Sequence, residues 1–246
     1  MYSVLILVLI LSCTFIVLYF ATITHKNYTK RNPQSDYHMR TLTNFSIASV
    51  VGILCIVFKD TLFITRSSWL PDLKSVLLYL VVIDAFIYWI HRITHRVPFL
   101  RKLLHETHHD VFYLLPMDFL NVNTLEYLIY IVITNIVPLS FLSLTMVEYF
   151  IVFSLIFTHS IYTHCETDMP FGIPLFIDST YHRYHHQIGK GNYATYLTIW
   201  DEFMKTRIPP PTIDPVRKRE EEEKQKEVQE NTNDGTEQSK KGETIS

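Results

Sequence analysis

A chain of 246 residues with a net charge of -2 is long enough for one domain, and its charge offers no electrostatic case for a nucleic-acid partner. Six glycines leave no glycine-rich nucleotide fingerprint. Three cysteines, Cys13, Cys55 and Cys165, form no spaced disulfide framework. The hydrophobic content of 48% conceals a division: 1–24, 45–65, 74–90 and 124–162 are strongly apolar, and everything after Thr206 is polar.

The first run, 1–24, is long enough to cross a bilayer, for which about 20 apolar residues suffice. It lacks the basic start and short apolar core of a cleaved leader and is expected to be an anchor. A second span is expected over 45–65, with Lys59 and Asp60 near its far end, and a third over 74–90. The stretch 123–163 is about twice a spanning length and carries Pro138 near its middle, which predicts a helical hairpin. Lys26, Lys30, Arg31 and Arg40 lie between spans one and two, and Arg92, Arg96, Arg101 and Lys102 follow span three. Placing both groups on the cytosolic side puts the amino terminus outside and the region after span three in the cytosol. The sequon Asn27-Tyr28-Thr29 then lies on the cytosolic side and is expected to carry no glycan.

Twelve histidines decide the chemistry. His91-Arg92-Ile93-Thr94-His95 follows span three, then His105-Glu106-Thr107-His108-His109, and far along the chain His182-Arg183-Tyr184-His185-His186. His159 and His164 close the hairpin, and His25 and His38 are expected to be structural. Spacings of three and four put side chains on one helical face. Eight imidazoles gathered without metal would repel when protonated and waste ring nitrogens when buried. Divalent metal removes both problems, and eight ligands are too many for one ion, so a dinuclear centre is expected. Imidazole suits zinc, copper, iron and nickel alike. Glu106 does not complete a His-Glu-x-x-His hydrolase motif, and a redox metal at a bilayer surface fits better.

These clusters resemble those of the fatty acid hydroxylase and sterol desaturase superfamily of membrane di-iron enzymes, over about 84–206. Asp84-Ala85-Phe86-Ile87-Tyr88-Trp89-Ile90-His91-Arg92 is similar to its first box, and Leu104-His105-Glu106-Thr107-His108-His109 to its second. His164 precedes Asp168-Met169-Pro170 as a family histidine does. The third box is followed by Gly191-Asn192-Tyr193-Ala194 and Trp200-Asp201, similar to the family's closing signatures. Where the family commonly continues Trp-Asp-x-x-Phe-Gly-Thr, the chain reads Trp200-Asp201-Glu202-Phe203-Met204-Lys205-Thr206 and lacks the glycine. The resemblance implies an all-α, multi-pass transmembrane protein with a cytosolic histidine-rich dimetal cap, organised as anchor helices over 1–70, a catalytic domain over 71–208 and a charged tail over 209–246. It implies two ferrous ions held by His91, His95, His105, His108, His109, His164, His182, His185 and His186. Electrons would come from NAD(P)H through a reductase or b-type cytochrome, the substrate would be a sterol or fatty acyl lipid, and the location the endoplasmic reticulum. Asp84, two turns before His91, is expected to hydrogen-bond a ligand's far nitrogen or help neutralise the site, and Asn192 and Asp201 to orient the third box or stabilise turns.

Two other classes compete. A catalytically silent lipid-binding scaffold would be favoured by a missing box histidine, and none is missing. A metal transporter would place its polar residues at membrane mid-depth, whereas these cluster beyond span ends. The tail after Pro209-Pro210-Pro211, with Glu220-Glu221-Glu222-Glu223 and scattered lysines, has too few apolar residues to offset the entropy of ordering.

Overall fold

A computed structural model describes residues 15–25, 28, 36–58, 70–111, 113–165 and 175–209, with a few positions of the tail. Residues 1–14 of the first expected span, Asn27 of the sequon, the end of the second span and Asp168-Met169-Pro170 lie outside these. The chain divides into two compact units, Met1–Ile208 and Pro209–Ser246. In the second, 221–226 are helical.

The first unit is all-α among the described residues, apart from one isolated bridge between Phe176 and Leu197. Helix α1 occupies 15–23 and α2 Tyr37–Val57. The second expected span thus begins eight residues early. Its first turns are fixed by polar bonds: Asn44 Nδ2 donates to the carbonyls of Leu120 and Val122 at 3.0 Å each, and Arg40 donates to Asn121 Oδ1.

Helix α3, Leu73–Arg96, starts where the Asp72 side chain accepts from Lys74 N. Val76, Tyr79, Ile83, Ile87 and His91 recur at spacings of three and four and make one buried face. The opposite face shows Leu77, Leu78, Val81, Phe86, Trp89 and Ile93 to the outside. Pro98 forces Val97 into an extended conformation and ends the helix. It also opens arm α4, built from Pro98–Leu100, a π turn at Arg101–His105 and Glu106–His109.

The expected hairpin forms two helices. Arm α5 runs through Thr124–Ile131, a π turn Val132–Ile136 and Val137–Leu139. Pro138 therefore sits in its last turn, and the chain reverses over 140–145. Helix α6, Met146–Thr163, opens with a reciprocal cap, Thr145 Oγ1 accepting from Glu148 N and Glu148 Oε2 from Thr145 N. The other Glu148 oxygen accepts from Asp72 N at 2.6 Å, tying the starts of α3 and α6 together. Helices α3 and α6 are long and apolar enough to cross a membrane. At 1.5 Å per residue the first spans about 36 Å and the second about 27 Å, near the bilayer's apolar thickness.

After α6 come α7, Ser179–Ile188, and α8, Ile199–Phe203. Asp178 caps α7 by accepting from Tyr181 N, and Gly189 closes it in the left-handed region. Between α7 and α8, two buried carboxylates pin the chain. Asp201 accepts from Tyr193 N, Ala194 N, the Tyr181 hydroxyl and the Thr206 hydroxyl. Asp84, on the buried face of α3, accepts from Tyr196 N, Leu197 N and Trp200 Nε1, each at 3.0 Å.

Replacing Glu148 by alanine would leave two amides without their acceptor. A loss of about 3 kcal/mol is expected, since hydrogen bonds to charged groups contribute about 1.5–3 kcal/mol each. It should appear as a lower melting temperature in detergent, with unchanged metal content in the protein that remains folded.

Candidate metal centre

The elements described above bring nine histidines together in two groups, within each of which the possible ligand atoms all lie within 4.8 Å of one another. One group holds His91, His95, His105, His109 and His185, and the other His108, His164, His182 and His186. Successive side chains on a helix diverge by about 100°, so each His-His pair is divided. His108 and His185 go one way and the other, with His109 and His186 crossing to the opposite groups.

Outward hydrogen bonds set the tautomers in the five-histidine group. His91 Nδ1 donates to the Tyr193 carbonyl at 2.7 Å, His185 Nδ1 to Gly191 at 2.7 Å and His95 Nδ1 to Gly189 at 3.1 Å. His109 Nδ1 points to the His186 carbonyl at 3.4 Å, and His105 Nδ1 to Glu126 Oε1 at 2.5 Å. With Nδ1 carrying the proton, each Nε2 presents a bare lone pair to the interior. His91 Nε2 and His105 Nε2 then face each other at 3.0 Å, and Nε2 of His95, His109 and His185 is buried with no partner. In the four-histidine group His164 Nδ1 donates to Ser160 O, and its Nε2 lies 3.2 Å from His182 Nε2 and 3.5 Å from His108 Nε2. His186 Nε2 is 3.2 Å from His182 Nε2.

Lone pairs that close repel unless a cation lies between them. Metal–imidazole bonds of about 2.1 Å put neighbouring nitrogens about 3.0 Å apart at right angles and about 3.4 Å apart at the tetrahedral angle. The separations here match that range, so the residues fit two bound metal ions. Burial, followed by the neighbouring rings, holds His105, His108, His182, His185 and His186 well below the ordinary imidazole range. Burial likewise brings His109 down to about 3 and His164 to about 4. Neutral rings are the metal-binding form.

The loop after α7 supplies three of the carbonyl acceptors and needs unusual backbone to do so. Gly189, Gly191 and Asn192 all have positive φ. A Cβ on Gly191 would stand 2.6 Å from Ile208 Cδ1 and 2.8 Å from Thr206 O, so only glycine fits. Asp201 holds the amide of Tyr193, whose carbonyl receives His91. Asn192 is turned away, bonding the backbone of Ile208 through both side-chain atoms.

Asp84 takes a different place from the one expected. Its carboxylate meets the 196–200 segment and no histidine, because the backbone and indole donors of that segment close over it first. His159 belongs to neither group and donates Nε2 to Ile177 O. Sequence reasoning passed over Glu126, whose partner lies 21 residues away on another element. Cys55 and Cys165 form no disulfide, and among the described residues neither joins a histidine group.

An apolar cavity of about 200 Å³ opens beside both groups. His91, His105, His108, His164 and His182 close one end, and Phe45, Ser49 and Gly52 of α2, Tyr127 and Tyr130 of α5, and Phe150, Phe153 and Phe157 of α6 form the walls.

Helical arms that gather three histidine boxes into two groups of possible metal ligands define the chain's class, and comparison with known proteins agrees. The fatty acid hydroxylase family matches residues 76–206, so the chain belongs to the fatty acid hydroxylase and sterol desaturase superfamily. It is 30% identical over 157 residues to the Delta(7)-sterol 5(6)-desaturase ERG3B of Gibberella zeae, covering 61% of this chain and 46% of that protein. It is 28% identical to a very-long-chain aldehyde decarbonylase of Oryza sativa subsp. indica over 147 residues, 54% of each chain. Sphinganine C4-monooxygenase 2 of Arabidopsis thaliana is 28% identical over 143 residues, 55% of each chain. The chain spans about half the length of the curated relatives it matches. No solved structure matches it.

In metal-free protein His109 and His164 stay neutral down to about 3 and about 4. In the unfolded chain a histidine protonates below about 6.5. The unfolded chain therefore takes up protons first, and stability is full above about pH 6.5 and falls toward pH 4, by about 1.4 kcal/mol per histidine per pH unit. Thermal melts of chelator-treated protein should show the melting temperature dropping steadily across that window.

Proposed function

We propose that this chain is a membrane-bound di-iron oxidoreductase that uses O2 to hydroxylate or desaturate a lipid, either a sterol or a fatty acyl chain. The observation that carries the reading is the pair of convergent histidine groups closing one end of an apolar cavity. Two iron ions held there would supply the oxidising power to remove hydrogen from an unactivated carbon, with electrons originating in NAD(P)H and delivered by a reductase or b-type cytochrome. His91, His95, His105, His109 and His185 would hold one ion, and His108, His164, His182 and His186 the other.

The protein's own part is positioning and exclusion of water. The phenylalanines of α6 and the small residues of α2 give an apolar substrate a wall to lie against, with its far end at the histidines. Asp84 and Asp201 hold the loop whose carbonyls aim the rings, which is a structural support for the chemistry and no contact with substrate. The names of the relatives, a sterol desaturase, an aldehyde decarbonylase and a sphinganine monooxygenase, support lipid as the substrate class. Exposed apolar faces on α2 and α3, including Leu42, Val50, Leu54, Leu77, Phe86 and Trp89, support embedding in lipid, here placed in the endoplasmic reticulum with the histidines on the cytosolic side.

Detergent-purified protein is expected to hold about two irons per chain. Changing His108 alone or His109 alone to alanine should each remove about one, from different groups, and the double change should remove both along with lipid oxidation by a reconstituted electron-transfer chain. Folded protein that binds no metal and is indifferent to both changes would overturn the reading.

A Cβ at Gly52 would meet nothing within 4 Å, so the helix accepts a larger residue there. Gly52→Phe is expected to fill the cavity, lowering turnover of long or bulky lipids at least ten-fold with iron content unchanged. Product analysis beside metal analysis checks this.

A further inference from the structure

Six of the nine histidines have an outward bond from Nδ1 that the geometry defines, and five of these end on backbone carbonyls. His105 is the exception. Its Nδ1 lies 2.5 Å from Oε1 of Glu126, and among the described residues no other carboxylate hydrogen-bonds to any of the nine. Glu126 is only 4% exposed, and its second oxygen is buried without a partner.

Its position in α5 makes this arrangement costly. Asn123 caps that helix and accepts from Leu125 N at 2.9 Å, and Glu126 stands three residues further on. A glutamate there ordinarily turns back to the amide of the capping residue, as Glu148 does in α6. Glu126 instead points away from its own helix, across the cavity wall, to a ring on arm α4. A buried carboxyl with one unpaired oxygen is unfavourable. Capping does not explain it, whereas a metal-bound imidazole, whose N–H is a stronger donor than a free ring's, does.

We propose that Glu126 is a positioning residue that makes the two metal positions unlike. It fixes the His105 tautomer with Nε2 toward the five-histidine group and gives that group a carboxylate-backed ring, while among the described residues the four-histidine group shows none. The metal of the five-histidine group is thereby bound through a more basic imidazole. The inference rests on the di-iron reading above and adds a residue to it.

The test uses full-length protein loaded with 57Fe(II) and examined by Mössbauer spectroscopy and metal analysis, as wild type, Glu126→Gln and Glu126→Ala. Wild type should give two distinct quadrupole doublets. Glu126→Gln keeps an acceptor oxygen at the same reach, and is expected to hold two irons while shifting one doublet and leaving the other in place. Glu126→Ala should weaken one iron by about 10–100-fold, as loss of an outer partner generally does, and leave the second bound. Both variants holding two irons with doublets identical to wild type would overturn the role of Glu126 and leave the di-iron reading intact. Wild-type protein that takes up no iron would overturn both. If Glu126→Ala does not fold, the Gln spectrum decides alone.

Discussion

Everything at the centre depends on where the imidazole N–H groups point. Each ring whose Nδ1 donates outward to a fixed acceptor is left with Nε2 as a lone pair facing its neighbours. Such an interior is unstable by itself, because buried lone pairs at van der Waals distance repel and each lacks a donor. The structure accepts that instability by spending its backbone polar groups outside the site. Carbonyls of Gly189, Gly191 and Tyr193 receive three rings, and the carbonyl of Ser160, one turn back along α6, receives a fourth. The folded chain is preorganised for cations, with the order imposed from the periphery inward.

That dependence explains why two carboxylates that hydrogen-bond no histidine are buried. Asp201 and Asp84 form no ion pair among the described residues, yet both are fully buried, and each accepts from two backbone amides of the segment between α7 and α8 and from a side chain of one of those helices, Tyr181 of α7 for Asp201 and Trp200 of α8 for Asp84. They act as internal caps for a stretch with almost no regular secondary structure. The left-handed glycines supply the turns, and the aspartates keep the intervening amides from being stranded. Precision at the rings is inherited from this loop, so stability and site geometry are not separable here.

Much of this was legible in the sequence, for physical reasons that differ by element. Histidine is rare and its spacing of three or four has one structural meaning, so the boxes announced both their helices and the convergence of their rings into groups that could hold metal. His164 came from its resemblance to a family position and indeed joins the four-histidine group. The hairpin was visible from length and Pro138. The division of the rings was not, because neighbours such as His108 and His109 are adjacent in sequence but diverge in space. Asp84 was placed by helical periodicity beneath His91, which is right for its face and wrong for its partner, since its hydrogen bonds come from residues more than 110 positions away. Glu126 was hidden by a local pattern that reads as an ordinary helix cap. The start of α2 was missed because Tyr37–Asn44 looks too polar for a span, and those polar groups bind the chain after the second box.

The two His-His dipeptides act as a ruler. Each donates one ring to either group, so the separation of the two groups is tied, twice over, to the reach of adjacent side chains on a single helical turn. The same coupling makes the boxes far less tolerant of a change in length than of a change in residue. Deleting one residue between His105 and His108 would rotate the pair by about 100°, turning His109 into the direction His108 takes and His108 into that of Thr107, so that the five-histidine group loses a ring.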